Sequence, residues 1–134
     1  MKSLLPRLLL TFASLVLGLG GLVHATAFPK AAAALRASQL PTFYAGSCEG
    51  LWLADSSTLI VLAIAFAFAA LRPAAFAGAT VALLALIPAS TATLIYLFVG
   101  PFLPAHLLLT ASIAAGLAGL LLRAPESSRA PAAA

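Results

Sequence analysis

Three ionisable residues, His24, Asp55 and His106, lie in or next to long apolar segments of this sequence. A carboxylate at membrane depth costs on the order of 2.5–3.5 kcal/mol unless it is paired, protonated or open to water. Asp55 therefore indicates a functional site, and the two histidines are its predicted partners. Two histidines and a carboxylate could also hold a metal ion, so the same three residues are the predicted ligands if a metal is bound.

A polar stripe marks the start of the second apolar segment, in the stretch CEGLWLADSSTLI. Five side chains of this stretch share an arc of roughly 120° on a helix, namely Cys48, Glu49, Trp52, Asp55 and Ser56. Glu49 is expected near the start of the helix, where the helix dipole favours a carboxylate. Together with polar residues at the same end of the other helices, the stripe predicts a ligand-binding pocket. Its predicted residues are His24, Glu49, Trp52, Asp55, Ser56, Tyr96 and His106.

Signatures of catalysis and of metal binding are missing from the sequence. It has no HxxxH, HExxH or CxxC spacing and no GxSxG motif. The single cysteine, Cys48, allows no internal disulfide. We therefore predict no catalytic residue, and the sequence leaves open both a cofactor and an enzymatic activity.

The composition predicts a membrane protein, because 63% of the 134 residues are hydrophobic and only 7% are charged. Four apolar runs reach the roughly 20 residues that a helix needs to cross the bilayer. They cover residues 8–27, 51–71, 74–99 and 103–122. We expect an all-α, polytopic four-helix bundle that forms one domain over residues 1–123, followed by a disordered cytoplasmic tail over residues 124–134.

The first loop predicts a short helix that rests on the membrane surface. Pro29 suits a first helical turn, Pro41 stops a helix, and the Ala-rich residues between them favour helix. Lys30 and Arg36 would face headgroups or water.

The positions of Lys and Arg predict the orientation of the chain in the membrane, since short loops rich in these residues tend to stay in the cytoplasm. Five cations share one side of the predicted bundle, and only Lys30 and Arg36 lie on the other. The five are Lys2, Arg7, Arg72, Arg123 and Arg129. Both termini are therefore expected in the cytoplasm, with the protein in a bacterial inner membrane.

A cleaved signal peptide is the alternative for the first helix, because Ala25-Thr26-Ala27 resembles a signal-peptidase site. Cleavage would leave three helices. The apolar stretch is longer than such peptides usually have, and Gly18 and Gly21 have a spacing that suits helix packing. We therefore expect the helix to be retained.

The stretches GLVHATAF and LWLADSSTLI resemble small four-helix inner-membrane proteins of bacteria that carry Gly-x-x-His at the end of the first helix. This resemblance covers about half of the chain, and it adds only His24 and the polar stripe as residues to test. It implies no reaction.

Three classes of function remain open. The first is the binding of a small ligand, lipid, quinone or metal in the polar pocket. The second is an accessory or assembly subunit of a larger membrane complex, and the third is a small transporter that acts as a homo-oligomer. The expected partners are the lipid bilayer and other membrane proteins, without nucleic acid.

Overall fold

The structure, a computed structural model, describes residues 4–123 and consists of α-helices joined by short connections. The helices are α1 (Leu4–Thr26), α2 (Phe28–Ala37), α3 (Thr42–Leu71), α4 (Gly78–Phe98) and α5 (Leu103–Arg123), with a 3₁₀ turn at Pro73–Ala75. Four of them, α1, α3, α4 and α5, are long and apolar enough to cross a membrane. The predicted all-α class with four such helices is confirmed. Lys2, Arg129 and the predicted tail at 124–134 lie outside the described residues.

Three predicted helix starts are wrong, since the helices expected from residues 8, 51 and 74 begin at Leu4, Thr42 and Gly78. The helix expected from residue 51 begins at Thr42, because the Pro41 carbonyl already accepts hydrogen bonds from the backbone N–H groups of Tyr44 and Ala45. The helix expected from residue 74 begins at Gly78, since a 3₁₀ turn comes first and Ala77 is extended. Hydropathy predicted the lipid-compatible part of each helix but not the turns at its ends.

The early start of α3 changes the interpretation of Glu49. Glu49 is the eighth residue of α3, whereas the helix dipole stabilises carboxylates only within about the first turn. The predicted stabilisation of Glu49 by the dipole is therefore wrong. Arg36 on α2 supplies the countercharge instead, with 3.2 Å between Arg36 Nε and Glu49 Oε1.

At 1.5 Å per residue, the 30 residues of α3 extend roughly 45 Å, which exceeds the roughly 30 Å of a bilayer core. The helix is therefore long enough to project beyond the hydrocarbon region.

The predicted short helix in the first loop is present as α2, with Pro29 in its first turn. It ends four residues before Pro41, because the Ser38 backbone N–H donates to the Leu35 carbonyl and Gln39 adopts a φ of 55°. Ala32 is buried, which ties α2 to the rest of the protein. Its location on a membrane surface stays a prediction.

The long helices pack in the spatial order α3, α1, α5, α4. Helix α1 contacts both α3 and α5, α4 packs mainly on α5, and α3 meets α4 only sparsely. Small residues allow close contact, since a Cβ atom added at Gly21 would lie 3.1 Å from the Ser56 carbonyl oxygen and one at Gly119 would lie 2.7 Å from the Ala82 nitrogen. The core consists mainly of alanine and leucine, with Phe66 fully buried. Large apolar side chains are exposed on all four long helices, an arrangement typical of helices that contact lipid.

Candidate ligand-binding site

The end of α1 places His24 against the polar stripe of α3. The Trp52 ring stacks on the His24 imidazole with 4.1 Å between ring centroids and 8° between the ring planes. The indole Nε1–H also donates to the His24 backbone carbonyl at 2.8 Å. Carbonyls in the last turn of a helix lack the partners that interior carbonyls have, so this bond closes the end of α1. One tryptophan therefore fixes both the backbone and the ring of His24.

Ser56 lies next to Nδ1 of the same imidazole and is only 3% exposed. Its Oγ donates to the Trp52 carbonyl at 2.9 Å, within α3, and lies 2.8 Å from His24 Nδ1. A buried hydroxyl needs hydrogen-bond partners, and this one has two. Ser56 therefore orients the imidazole through Nδ1, while Trp52 covers one face of the ring.

Asp55 completes the group at its open edge. Its Oδ2 lies 3.9 Å from His24 Nδ1, the same nitrogen that contacts Ser56. The side chains of His24 and Asp55 are 32% and 35% exposed, so both are accessible to a bound molecule. We call His24, Trp52, Asp55 and Ser56 the His24 cluster. The structure thus brings together four of the predicted site residues.

The His24 cluster does not have the geometry of a serine nucleophile. In a Ser-His-Asp triad the serine and the carboxylate contact different imidazole nitrogens, so that the carboxylate orients the ring while the other nitrogen takes the serine proton. Here both face Nδ1, and the Ser56 hydroxyl is buried. The arrangement suits the recognition of a polar group better than acyl transfer.

The other predicted site residues lie in separate contacts. Tyr96 Oη and His106 Nδ1 are 2.6 Å apart, which joins α4 to α5. Glu49 is held by Arg36, a partner that the sequence analysis did not include in the site. Among residues 4–123, no hydrogen bond or ion pair links His106, Tyr96 or Glu49 to the His24 cluster. Helical spacing could not show which helices are neighbours.

The structure does not group His24, Asp55 and His106, the residues predicted to hold a metal ion if one is bound, as a metal site. Within the described part of the chain, no three His, Cys, Asp or Glu side chains are grouped so that they could hold a metal ion. Cys48, the remaining soft donor, is exposed.

An apolar groove of about 330 Å³ runs along α1 and α3 below the His24 cluster. Gly18, Leu22, Ile60 and Ala67 are among its lining residues. Ile60 lies about 140° around α3 from Asp55, so the groove and the carboxylate are on different sides of that helix. The groove is an apolar gap between α1 and α3, and the polar contacts of His24 lie at the end of this helix pair.

Comparisons with protein-family models, curated proteins and solved structures find no match to this chain. The likeness of GLVHATAF and LWLADSSTLI to small bacterial membrane proteins therefore stays a resemblance of short motifs, and the contacts of the His24 cluster carry the interpretation of the site.

Proposed function

We propose that this is an integral membrane protein that binds a polar group of a ligand at the His24 cluster. Four helices of sufficient length and apolarity support membrane insertion. The cationic residues Arg7, Arg72 and Arg123 lie at the helix ends opposite the cluster, which favours termini in the cytoplasm and a cluster that faces outward. The resemblance to small bacterial proteins favours an inner membrane.

One observation supports ligand binding above the alternatives. His24 is held on one face by Trp52 and at Nδ1 by Ser56, yet about a third of its side chain stays exposed beside an equally exposed Asp55. A residue that only anchors a helix end needs no such fixed orientation. Preorganised and accessible polar groups in an otherwise apolar bundle are the usual basis of specific recognition.

Native mass spectrometry of the full-length protein, extracted in mild detergent from its own membranes, tests this proposal. We expect a non-protein adduct that is lost in His24→Ala and Asp55→Ala. It should be retained in Ser57→Ala, the matched control on the same turn of α3, because the Ser57 hydroxyl bonds only to carbonyls of its own helix. The denatured mass, measured in parallel, shows whether the residues before Phe28 are removed.

Two other outcomes would contradict ligand binding. A stoichiometric protein partner without an adduct would favour the accessory-subunit function and make the His24 cluster a docking feature. A stable homo-oligomer without an adduct would favour the transporter, in which neighbouring chains would have to supply the polar pathway that one chain lacks.

A further inference from the structure

The position of the hydrogen on His24 follows from its neighbours. The single Ser56 hydroxyl hydrogen is donated to the Trp52 carbonyl, so Ser56 Oγ is left to accept from Nδ1. Asp55 Oδ2, at 3.9 Å from Nδ1, also favours a hydrogen on that nitrogen, since a lone pair would face a carboxylate. In the neutral imidazole the second nitrogen, Nε2, then carries no hydrogen and is an acceptor.

The hydrogen-bond donors of the His24 cluster are already engaged. The Trp52 N–H bonds to the His24 carbonyl, and the Ser56 O–H bonds to the Trp52 carbonyl. Over residues 4–123, no side chain donates a hydrogen bond to Asp55, whose nearest cationic candidate is His24 at 3.9 Å. Arg36, the cation that meets α3 nearby, is engaged by Glu49. The cluster thus has two acceptors that no donor among residues 4–123 engages, His24 Nε2 and the Asp55 carboxylate, and no free donor.

We infer that the group recognised at the His24 cluster is a primary ammonium. This inference rests on the proposed function and specifies the class of its ligand. An ammonium has three N–H donors for the two acceptors, and its charge offsets a carboxylate that is costly to hold near the membrane without a partner. A hydroxyl would supply one donor and no charge. Such an ammonium could come from the headgroup of an ethanolamine phospholipid or from a soluble amine.

The test compares two lipids that differ only at the ammonium. The full-length protein is reconstituted in nanodiscs of choline phospholipid, and ethanolamine phospholipid with the same acyl chains is added. The choline headgroup has the same charge but no N–H donor. We expect native mass spectra to show preferential retention of the ethanolamine lipid, by about tenfold, as is typical when a charge-assisted hydrogen bond is gained.

Variants assign the preference to the cluster. Asp55→Asn should abolish the preference for the ethanolamine lipid. Glu49→Gln is the matched control, because it removes a carboxylate that Arg36 already engages, and it should leave the preference unchanged. His24→Asn keeps an N–H donor near Ser56 but removes the Nε2 acceptor, so it should weaken the preference in a chain that still folds, although with lower stability. Helix content from circular dichroism confirms that each variant is folded.

Soluble amines separate the two sources. Ethanolamine or spermidine is added to the protein in choline-lipid nanodiscs, and the emission of Trp52 is followed. A saturable change that requires Asp55 identifies a free amine, whereas a response only to the ethanolamine lipid identifies the headgroup. Either result supports the ammonium.

Four results would overturn the inference. Equal retention of the two lipids without a response to amines rejects the ammonium, and so does a preference that survives Asp55→Asn. An adduct that lacks an amine and is lost in His24→Ala also rejects it, although the proposed binding function would then stand. Absence of any adduct, lipid preference or amine response rejects both.

Discussion

Trp52 and His24 are joined twice, by a ring stack with 4.1 Å between centroids and by a hydrogen bond from the indole N–H to the His24 carbonyl. The stack fixes the imidazole, and the hydrogen bond fixes the end of the helix that carries it. The orientation of the side chain is therefore tied to the packing of α1 on α3. Changes at either residue should affect both the site and the stability of the helix pair.

Trp52→Phe should separate these two contacts, because phenylalanine keeps an aromatic ring but has no N–H. The unpaired His24 carbonyl should lower the free energy of unfolding by about 1 kcal/mol. Circular dichroism during denaturation in detergent measures this change. Tyr44→Phe is the control, since Tyr44 is exposed near the start of α3. Equal stability of the two variants would show that the indole bond contributes nothing.

The emission of Trp52 should report on His24 without interference, because the chain contains one tryptophan. His24→Asn removes the stacked ring, so we expect a change in both the intensity and the wavelength of emission. His106→Asn should leave the spectrum unchanged, since His106 contacts Tyr96 on α4 rather than Trp52. A spectrum that responds to both substitutions would mean that the two histidines belong to one site.

Gly119→Ala should destabilise the pairing of α4 with α5. The added Cβ would lie 2.7 Å from the Ala82 nitrogen and 2.8 Å from the Gly78 carbonyl oxygen, both of which are backbone atoms that cannot turn aside. Overpacking of this kind costs about 1–3 kcal/mol. Thermal unfolding in detergent measures it. Gly116→Ala is the matched control one turn earlier, where the nearest contact would be 4.0 Å away, and an equal loss there would contradict the close approach at Gly119.

Ser112→Ala should weaken the same helix pair through a lost hydrogen bond. The Ser112 Oγ is buried and donates to the Ala85 carbonyl of α4 at 2.7 Å. Interhelical bonds of this type contribute about 0.6–1.7 kcal/mol in membranes, so a loss in that range is expected on unfolding in SDS. Thr110→Ala removes a hydroxyl that bonds only within α5 and should be nearly neutral. The reverse order of effects would argue against the interhelical bond.

The Arg36–Glu49 ion pair should contribute little to stability. The Arg36 side chain is 73% exposed, and exposed pairs typically contribute below about 1 kcal/mol because water and salt screen them. A double-mutant cycle with Arg36→Ala and Glu49→Ala measures the coupling, which should fall further at high salt. A larger coupling that does not respond to salt would show that the pair is shielded from solvent.

Hydropathy and helical spacing predicted the four long helices and the shared face of Trp52, Asp55 and Ser56, because these features depend on residues close together in the chain. The approach of His24 to that face was predicted from the cost of an isolated carboxylate. The separation of His106 from the cluster was not predicted, since it depends on which helices are neighbours. Glu49 was misplaced because Pro41 starts α3 nine residues before its most apolar part.

The spatial order α3, α1, α5, α4 has a consequence for biosynthesis. Helix α1 is made before the other long helices described, and α3 can join it early. Its second neighbour, α5, follows both α3 and α4 in the chain, so the α1–α5 contact can form only after these two helices have been made. Until then, the face of α1 that packs on α5 lacks this partner. A chain truncated before Leu103 would keep the His24 cluster and yet lack the helix that connects α1 to α4.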